Sequence, residues 1–326
     1  MNQPCKGCGH PLQYSNPLEL GYSPKEGTSY CQSCFRYKHY KDTAKITKSA
    51  PEYAPMNIEG IVIWCVDAMF VEDSLKRIHR SWLEQDFIMV LTKFDVYPTS
   101  LWHTRLEQIT RLCQRYNIHP YYMIPFSKHM PMTKQHILEA MNATKQSVFS
   151  CIGMVNAGKS SLINALVGSS TLVTSPFAHT TQAPCTIEWD HYKLIDYPGF
   201  DPGVHPYDHL PTNLVEKIHI DGLIKPITYA LKRSCVIVVN DVVWVECHLD
   251  EPSSLTLYMS AQCESHKRNL TVLEANPFEN NHEFKGSCDI EITHVGWIHA
   301  VGTSLTMIVH THPSLTLKET KDALCW

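Results

Sequence analysis

The sequence predicts an α/β chain: a doubly wound sheet in the middle, a small cysteine-rich module before it and a mostly β region behind. Three observations carry this. Two C-x-x-C pairs lie close to the N-terminus, at Cys5/Cys8 and Cys31/Cys34. In the central stretch, short apolar runs such as "IVIWCVD", "FIMVLT", "YYMIP", "SVFSCI" and "YKLID" alternate with helical stretches, and each run ends in a polar or glycine-bearing loop. Beyond it come short alternating segments separated by turn residues. The boundaries expected are 1–48 for the cysteine module, 55–212 for the central domain and 213–326 for the C-terminal domain, a surface for a partner or RNA.

The 326 residues suffice for two or three domains. No apolar run reaches the roughly 18 residues of a membrane span. The N-terminus "MNQPCKGCGH" reads neither as a secretion signal nor as an arginine-rich leader. A cytoplasmic, monomeric protein with no membrane partner is expected. Net charge is −4, but residues 1–50 hold seven Lys and Arg against three Asp and Glu. A basic head on an acidic body suits a polyanion at one end only. Thirteen cysteines, odd in number and dispersed, argue against a secreted disulfide framework.

Cys5, Cys8, Cys31 and Cys34 form two pairs that can close a tetrahedral Zn²⁺ site, the metal supplying folding energy to a segment too small for a core. A pair of redox dithiols is the alternative. After the second pair come Arg36, Tyr37, Lys38, His39, Tyr40 and Lys41. Aromatic and basic side chains in alternation suit base stacking with phosphate contact, as on RNA. A solvated helix face packed on the cysteine module would look the same.

Gly153-Met-Val-Asn-Ala-Gly158-Lys159-Ser160 fits G-x4-G-K-[ST], after an apolar strand and before the helical "SSLINALVG". Backbone N–H groups from Gly153 through Asn156, Ala157, Gly158 and Ser161 are expected to cradle phosphates at the helix N-terminus. Lys159 is expected to reach the β- and γ-phosphates, and Ser160 to bind Mg²⁺. "YKLIDYPGF" supplies Asp196-x-x-Gly199, an aspartate for the Mg²⁺ shell and a glycine N–H for the γ-phosphate. Thr181, or failing it Thr180, in "SPFAHTTQAP" is expected to complete the Mg²⁺ shell and the catalytic set.

Base recognition lies upstream. Thr92-Lys93-Phe94-Asp95 ends an apolar strand and resembles the N/T-K-x-D element of GTPases, whose aspartate accepts two hydrogen bonds from guanine. A carboxylate that needs two donors rejects adenine. Ser127-Lys128 ends the next strand and resembles the S-A-K element that touches guanine O6. Ordinary GTPases run P-loop, switch threonine, D-x-x-G, N/T-K-x-D, S-A-K, whereas here the last two come first. That order reads as a circular permutation, tolerable because every motif sits at the carboxyl edge of one sheet.

Permuted order and cysteine head together make the chain similar to the YqeH-type circularly permuted GTPases, over nearly its whole length. "CKGCGHPLQYSNPLELGY", "YCQSCFRYKHY" and "IVIWCVDAMFVEDS" carry the resemblance, and the tail "DIEITHVGWIHAVG" follows more loosely. The resemblance implies GTP/GDP binding, GTP hydrolysis with Mg²⁺ and a role in assembling the small ribosomal subunit. Similar GTPases use an asparagine at the position of Asn156 to hold K⁺ against the phosphates. Phe200 follows D-Y-P-G where many GTPases carry a water-orienting glutamine, so slow intrinsic turnover is expected. A non-hydrolysing, nucleotide-bound scaffold is the rival reading, and an ATPase a third.

In the C-terminal third, "HIDGLIKPITYALK" reads as a helix interrupted by Pro226, and "CVIVVNDVVWVECHL", "LTLYMSA", "LTVLEA", "DIEITHVGWIHAVG" and "LTMIVHT" read as strands. "NPFENNHEFKGS" reads as a polar connection. The scattered histidines show no ligand spacing.

Overall fold

A computed structural model describes residues 3–17, 19–40, 58–168, 172, 183–200, 210–220, 222–239 and 242–320. It divides into two compact units, Met1–Val204 and His205–Trp326. No described helix is long and apolar enough to cross a membrane.

In the first unit, α1 (Gln32–Tyr40) closes the cysteine module. A six-stranded sheet follows. Its elements are β1 (Ile61–Asp67), α2 (Val71–Arg77), β2 (Phe87–Thr92), α3 (Trp102–Arg115), β3 (Tyr122–Pro125), α4 (Pro131–Ala143), β4 (Val148–Ile152), α5 (Lys159–Val167), β5 (Cys185–Trp189) and β6 (Tyr192–Asp196). Strand order is β3-β2-β1-β4-β6-β5. All neighbours are parallel except β5 and β6.

The apolar runs explain this order. β1, β2 and β4 are buried almost throughout, the pattern of strands covered on both faces by helices. β5 carries Thr186 and Glu188 outward, as an edge strand should, and is tied to β6 by a tight hairpin with Asp190 in the left-handed region. Trp64, Met89, Leu91 and Phe149 are fully buried and form the core of the sheet. Pro131 opens α4 where its missing N–H costs nothing. Gly168 ends α5 in the left-handed region, its N–H bonded to the Asn164 carbonyl. The parallel order puts the ends of β1, β2, β4 and β6 along one edge.

The second unit is β-rich. After α6 (Thr212–Ile218) come β7 (Ile227–Leu231), β8 (Cys235–Val239), β9 (Val243–His248), β10 (Ser253–Met259), β11 (Ser265–Arg268), β12 (Asn280–Lys285), β13 (Cys288–Ile292), β14 (Gly296–Val301), β15 (Thr306–Thr311) and β16 (Leu317–Thr320). They form two antiparallel five-stranded sheets, β16-β13-β14-β10-β7 and β11-β8-β9-β15-β12.

Three expectations change here. The stretch expected to be helical around Pro226 is not a helix. Its described first half carries no regular element, and its second half is strand β7; Pro226 cannot supply a helical N–H, and β7 gains its backbone partners from β10. "LTVLEA" is a 3-10 turn, Leu270–Ala275, with its amides bonded within the turn at Val272 and Asn276. The polar "NNHEFK" is strand β12, paired along its length with β15. An edge strand needs backbone partners and only one covered face, so its polar side chains are no bar.

Phe149 sits at the centre of the first unit, its ring edge-on to Tyr192 at 5.6 Å. Phe149→Ala is expected to destabilise this unit by about 3–5 kcal/mol. Urea unfolding followed by circular dichroism checks it, and a loss under about 1 kcal/mol would contradict the packing described.

Candidate nucleotide site and cysteine cluster

The loop after β4 wraps from Gly153 to Gly158. A Cβ at Gly153 would strike the Cys65 carbonyl on β1, so the loop can cross the sheet edge only without a side chain there. Asn156 (φ 62°) and Gly158 (φ 80°) take left-handed conformations at the start of α5, the kind of backbone from which loops build anion-binding concavities, and Ala157 N–H donates to the Met154 carbonyl at 3.2 Å. Lys159 is buried, and its Nζ donates to the carbonyls of Gly153 (3.1 Å) and Met154 (2.8 Å). Burial holds its pKa below the usual lysine value. Among the described residues the ammonium's hydrogen bonds go to two loop carbonyls, which it is well placed to exchange for phosphate oxygens.

Asp196 ends β6 opposite Cys151 of β4 and is fully buried. Ser160 Oγ donates to its Oδ2 at 2.7 Å. A hydroxyl and a carboxylate, two hard oxygen donors side by side, suit Mg²⁺. Beyond Asp196 the chain stays against the loop. Phe200 N–H donates to the Gly153 carbonyl at 3.1 Å, and Phe200 pairs with Met154 as an isolated parallel bridge. Gly199 lies over Val155, where a Cβ would come within 2.8 Å of Val155 Cα and 3.0 Å of Lys159 Nζ. The D-x-x-G glycine is therefore required by contact with the loop. The Phe200 ring is buried 5.5 Å from that of Trp82.

The stretches expected to read the base reach the same edge. Thr92 Oγ1 donates to the Ala157 carbonyl at 2.8 Å, fastening the end of β2 to the phosphate loop. Lys93 is left-handed (φ 55°), and its Nζ meets Asp67 Oδ2 at 2.6 Å. Asp95 lies in the short turn Phe94–Val96, half-buried, and among the described residues its carboxylate takes no hydrogen bond or ion pair. Phe94 N–H donates to the Phe126 carbonyl, which ties this turn to the end of β3. Ser127 is buried; its N–H donates to Thr133 Oγ1 and its Oγ accepts from His129 N–H, so this serine shapes the turn into α4. Lys128 is its neighbour in that turn. Thr180 and Thr181 lie outside the described residues, as does most of the loop after Phe200.

Two residues here were not singled out from the sequence. Asp67 was legible only as a lone acid closing an apolar strand, and Trp82 carried no local signal.

The four cysteines come together. Cys5, Cys8, Cys31 and Cys34 are buried, with their sulfurs all within 4.8 Å of one another. Cys8 Sγ and Cys31 Sγ are 3.9 Å apart, close to the roughly 3.8 Å edge of a tetrahedron with Zn–S near 2.3 Å. Cys5 Sγ also accepts the N–H groups of Gly7 (3.4 Å) and Cys31 (3.1 Å). Hydrogen bonds from the Cys31, Cys34 and Cys8 thiols hold the Cys5 thiol far below its ordinary pKa. The set is compatible with Zn²⁺. The first cysteine turn also meets the sheet: Ala183 N–H, just before β5, donates to the Cys8 carbonyl at 3.1 Å. On α1, Lys38 Nζ lies 4.4 Å over the Tyr30 ring, and the exposed Phe35 stacks on His39 at 4.4 Å.

A family model described as a 50S ribosome-binding GTPase matches residues 148–273. GTPase Der of Mesorhizobium japonicum is 36% identical over 84 residues, 24% of this chain and 17% of that protein. GTPase Der of Macrococcus caseolyticus is 28% identical over 137 residues, 36% of this chain and 31% of that protein. The chain thus spans less than a third of the length of these relatives. Among solved structures, YjeQ from Thermotoga maritima is similar at 20% identity and a TM-score of 0.29, over 44% of this chain and 49% of that one. The chain carries a P-loop GTPase domain. The matched family stretch contains the P-loop and D-x-x-G but begins after Thr92–Asp95.

Replacing Cys8 or Cys34 by Ser is expected to drop zinc from about one ion per chain to near zero and to open residues 3–40 to protease. Metal analysis with limited proteolysis checks this. A wild-type chain that is metal-free yet resists protease would contradict it.

Proposed function

We propose that this chain is a Mg²⁺-dependent, GTP-hydrolysing switch with a circularly permuted GTPase domain, acting in small ribosomal subunit assembly. The observation that carries the nucleotide reading is the meeting of three chain segments at one sheet edge. Thr92 is hydrogen-bonded to the P-loop carbonyl of Ala157, and Ser160 to Asp196. The permuted reading is supported by β1, β2 and β3 preceding β4 in the chain while lying beside it in a mostly parallel sheet. Asp95, with no partner among the described residues, would accept the two guanine donors.

In this reading the N–H groups of the loop hold the phosphates, and Lys159 leaves the Gly153 and Met154 carbonyls for the β- and γ-phosphates. Ser160 and Asp196, with Thr181, would hold Mg²⁺, which neutralises charge on the phosphates when bound. Gly199 offers its N–H to the γ-phosphate. Phe200 is packed on Trp82 and has no group to orient water. Hydrolysis then depends on a group from elsewhere: K⁺ held at Asn156, or the ribosomal particle. The cysteine head, with Zn²⁺ at its four thiolates and Arg36 and Lys38 on α1, supplies a basic face for RNA, and the C-terminal domain a second contact. The ribosomal partner draws on the YqeH-type resemblance; the matched family model names the 50S particle, so the particle must be tested both ways.

The test is phosphate release from GTP and from ATP, in KCl and in NaCl, with and without 30S or 50S particles. GTP-selective turnover, stimulated at least about tenfold by K⁺ or by 30S and abolished in Lys159→Ala, is expected. Tight GTP binding with no turnover under any condition supports the scaffold instead, and stimulation by 50S alone overturns the small-subunit role.

A further inference from the structure

We infer that Asp67 is a positioning residue for nucleotide binding: it holds the Lys93 side chain across the slot in which the base must lie. The inference rests on the guanine-site reading above and adds to it a residue from a third strand.

Asp67 ends β1, between β2 on one side and β4 on the other. Its carboxylate is rigidly held. Oδ1 accepts the Met69 N–H at 3.0 Å, Ala68 N–H donates to the Thr92 carbonyl at 3.0 Å, and the Tyr97 hydroxyl donates to the Ala68 carbonyl at 2.8 Å. The remaining oxygen, Oδ2, takes Lys93 Nζ at 2.6 Å. Lys93 is fixed from its own side. Its backbone is left-handed, Val96 N–H donates to its carbonyl, and the next residue is bonded to Phe126. Both ends of the link are anchored before any ligand arrives.

The side chains are about one quarter (Lys93) and one eighth (Asp67) exposed, so the pair is neither a surface ornament nor a sealed core bridge. A free lysine here would extend its ammonium into water. Drawn to Asp67, the ammonium is held at the end of β1, and the four-carbon stem spans from the end of β2 to the end of β1. A stem already ordered loses less rotamer freedom when a planar base packs on it. The effect falls on the base, which GDP and GTP share, and leaves the choice of guanine to Asp95.

Asp67→Asn separates this role from a structural one. The amide oxygen still accepts the Met69 N–H, while the amide nitrogen, itself a donor, cannot accept a hydrogen bond from Lys93. Titration with fluorescent GDP and with a non-hydrolysable GTP analogue is expected to give about tenfold weaker binding of both, by the same factor. Lys93→Met is expected to match it, and the double variant to be no weaker than either single one. In turnover assays the loss is expected in KM, with no matching fall in kcat. Wild-type GDP affinity in Asp67→Asn overturns the inference, as does a double variant whose loss is the product of the two. Lys93→Met tests the pair independently should Asp67→Asn fold poorly. Asp95→Asn, measured alongside, is expected to gain affinity for xanthosine diphosphate. If it does so while Asp67→Asn is silent, only this inference fails; a wild-type chain that binds no guanine nucleotide overturns both readings.

Discussion

The parallel pairing of β1 with β4 is the interaction on which the site depends. Ile61 to Trp64 run beside Phe149 to Ile152, joining the stretch that carries Thr92–Asp95 to the stretch that carries the phosphate loop. Each strand is buried on both faces, so this seam is held by backbone hydrogen bonds and by a continuous apolar layer. Every site contact that crosses between the two stretches follows from it: Thr92 to Ala157, Cys65 against Gly153, and Asp67 standing between β2 and β4. In the proposed permuted reading the chain reaches this edge in an unusual order. Physical chemistry is indifferent to that, because a hydrogen bond depends on where strand ends lie and not on which was made first.

The strands of the first unit were legible because their apolar runs are continuous and their ends are marked. A glycine loop before a helix, an aspartate after "KLI" and a T-K-x-D after "FIMVL" each announce a strand end. Thr92 and Asp196 could be assigned that way. Asp67 could not, since nothing in "CVDAM" says which basic residue its carboxylate will meet. Only the strand order reveals Lys93. Phe200 and Trp82 show the same limit: the chain distance between them is long, and their contact exists only because the D-x-x-G segment lies along the loop.

The C-terminal unit was harder to read for a different reason. Its strands are short, antiparallel and partly covered on one face, so local pattern and tertiary pairing compete. "PITYAL" could continue a helix by composition, yet Pro226 removes a donor and β10 offers a ladder. "LTVLEA" alternates well enough for a strand, yet it closes into a turn after β11 ends at Arg268. "NNHEFK" has almost no apolar signal and is a strand because β15 lies beside it. For "PITYAL" and "NNHEFK" the deciding term was a partner strand, which single-sequence pattern cannot supply.

The cysteine head meets the sheet just before β5. The segment that holds Thr180 and Thr181 begins just after Leu172 and ends just before Ala183. Leu172 is fixed to α5 by a pair of hydrogen bonds with the Asn164 side chain, 2.9 and 2.8 Å. Ala183 is fixed to the first cysteine turn at Cys8. A Cβ at Gly9 would collide with the Ala183 carbonyl, so this approach is as close as backbone permits. One end of the segment therefore belongs to the phosphate helix and the other to the cysteine cluster. The first cysteine turn is thus built onto the same sheet that carries the phosphate loop, within one compact unit.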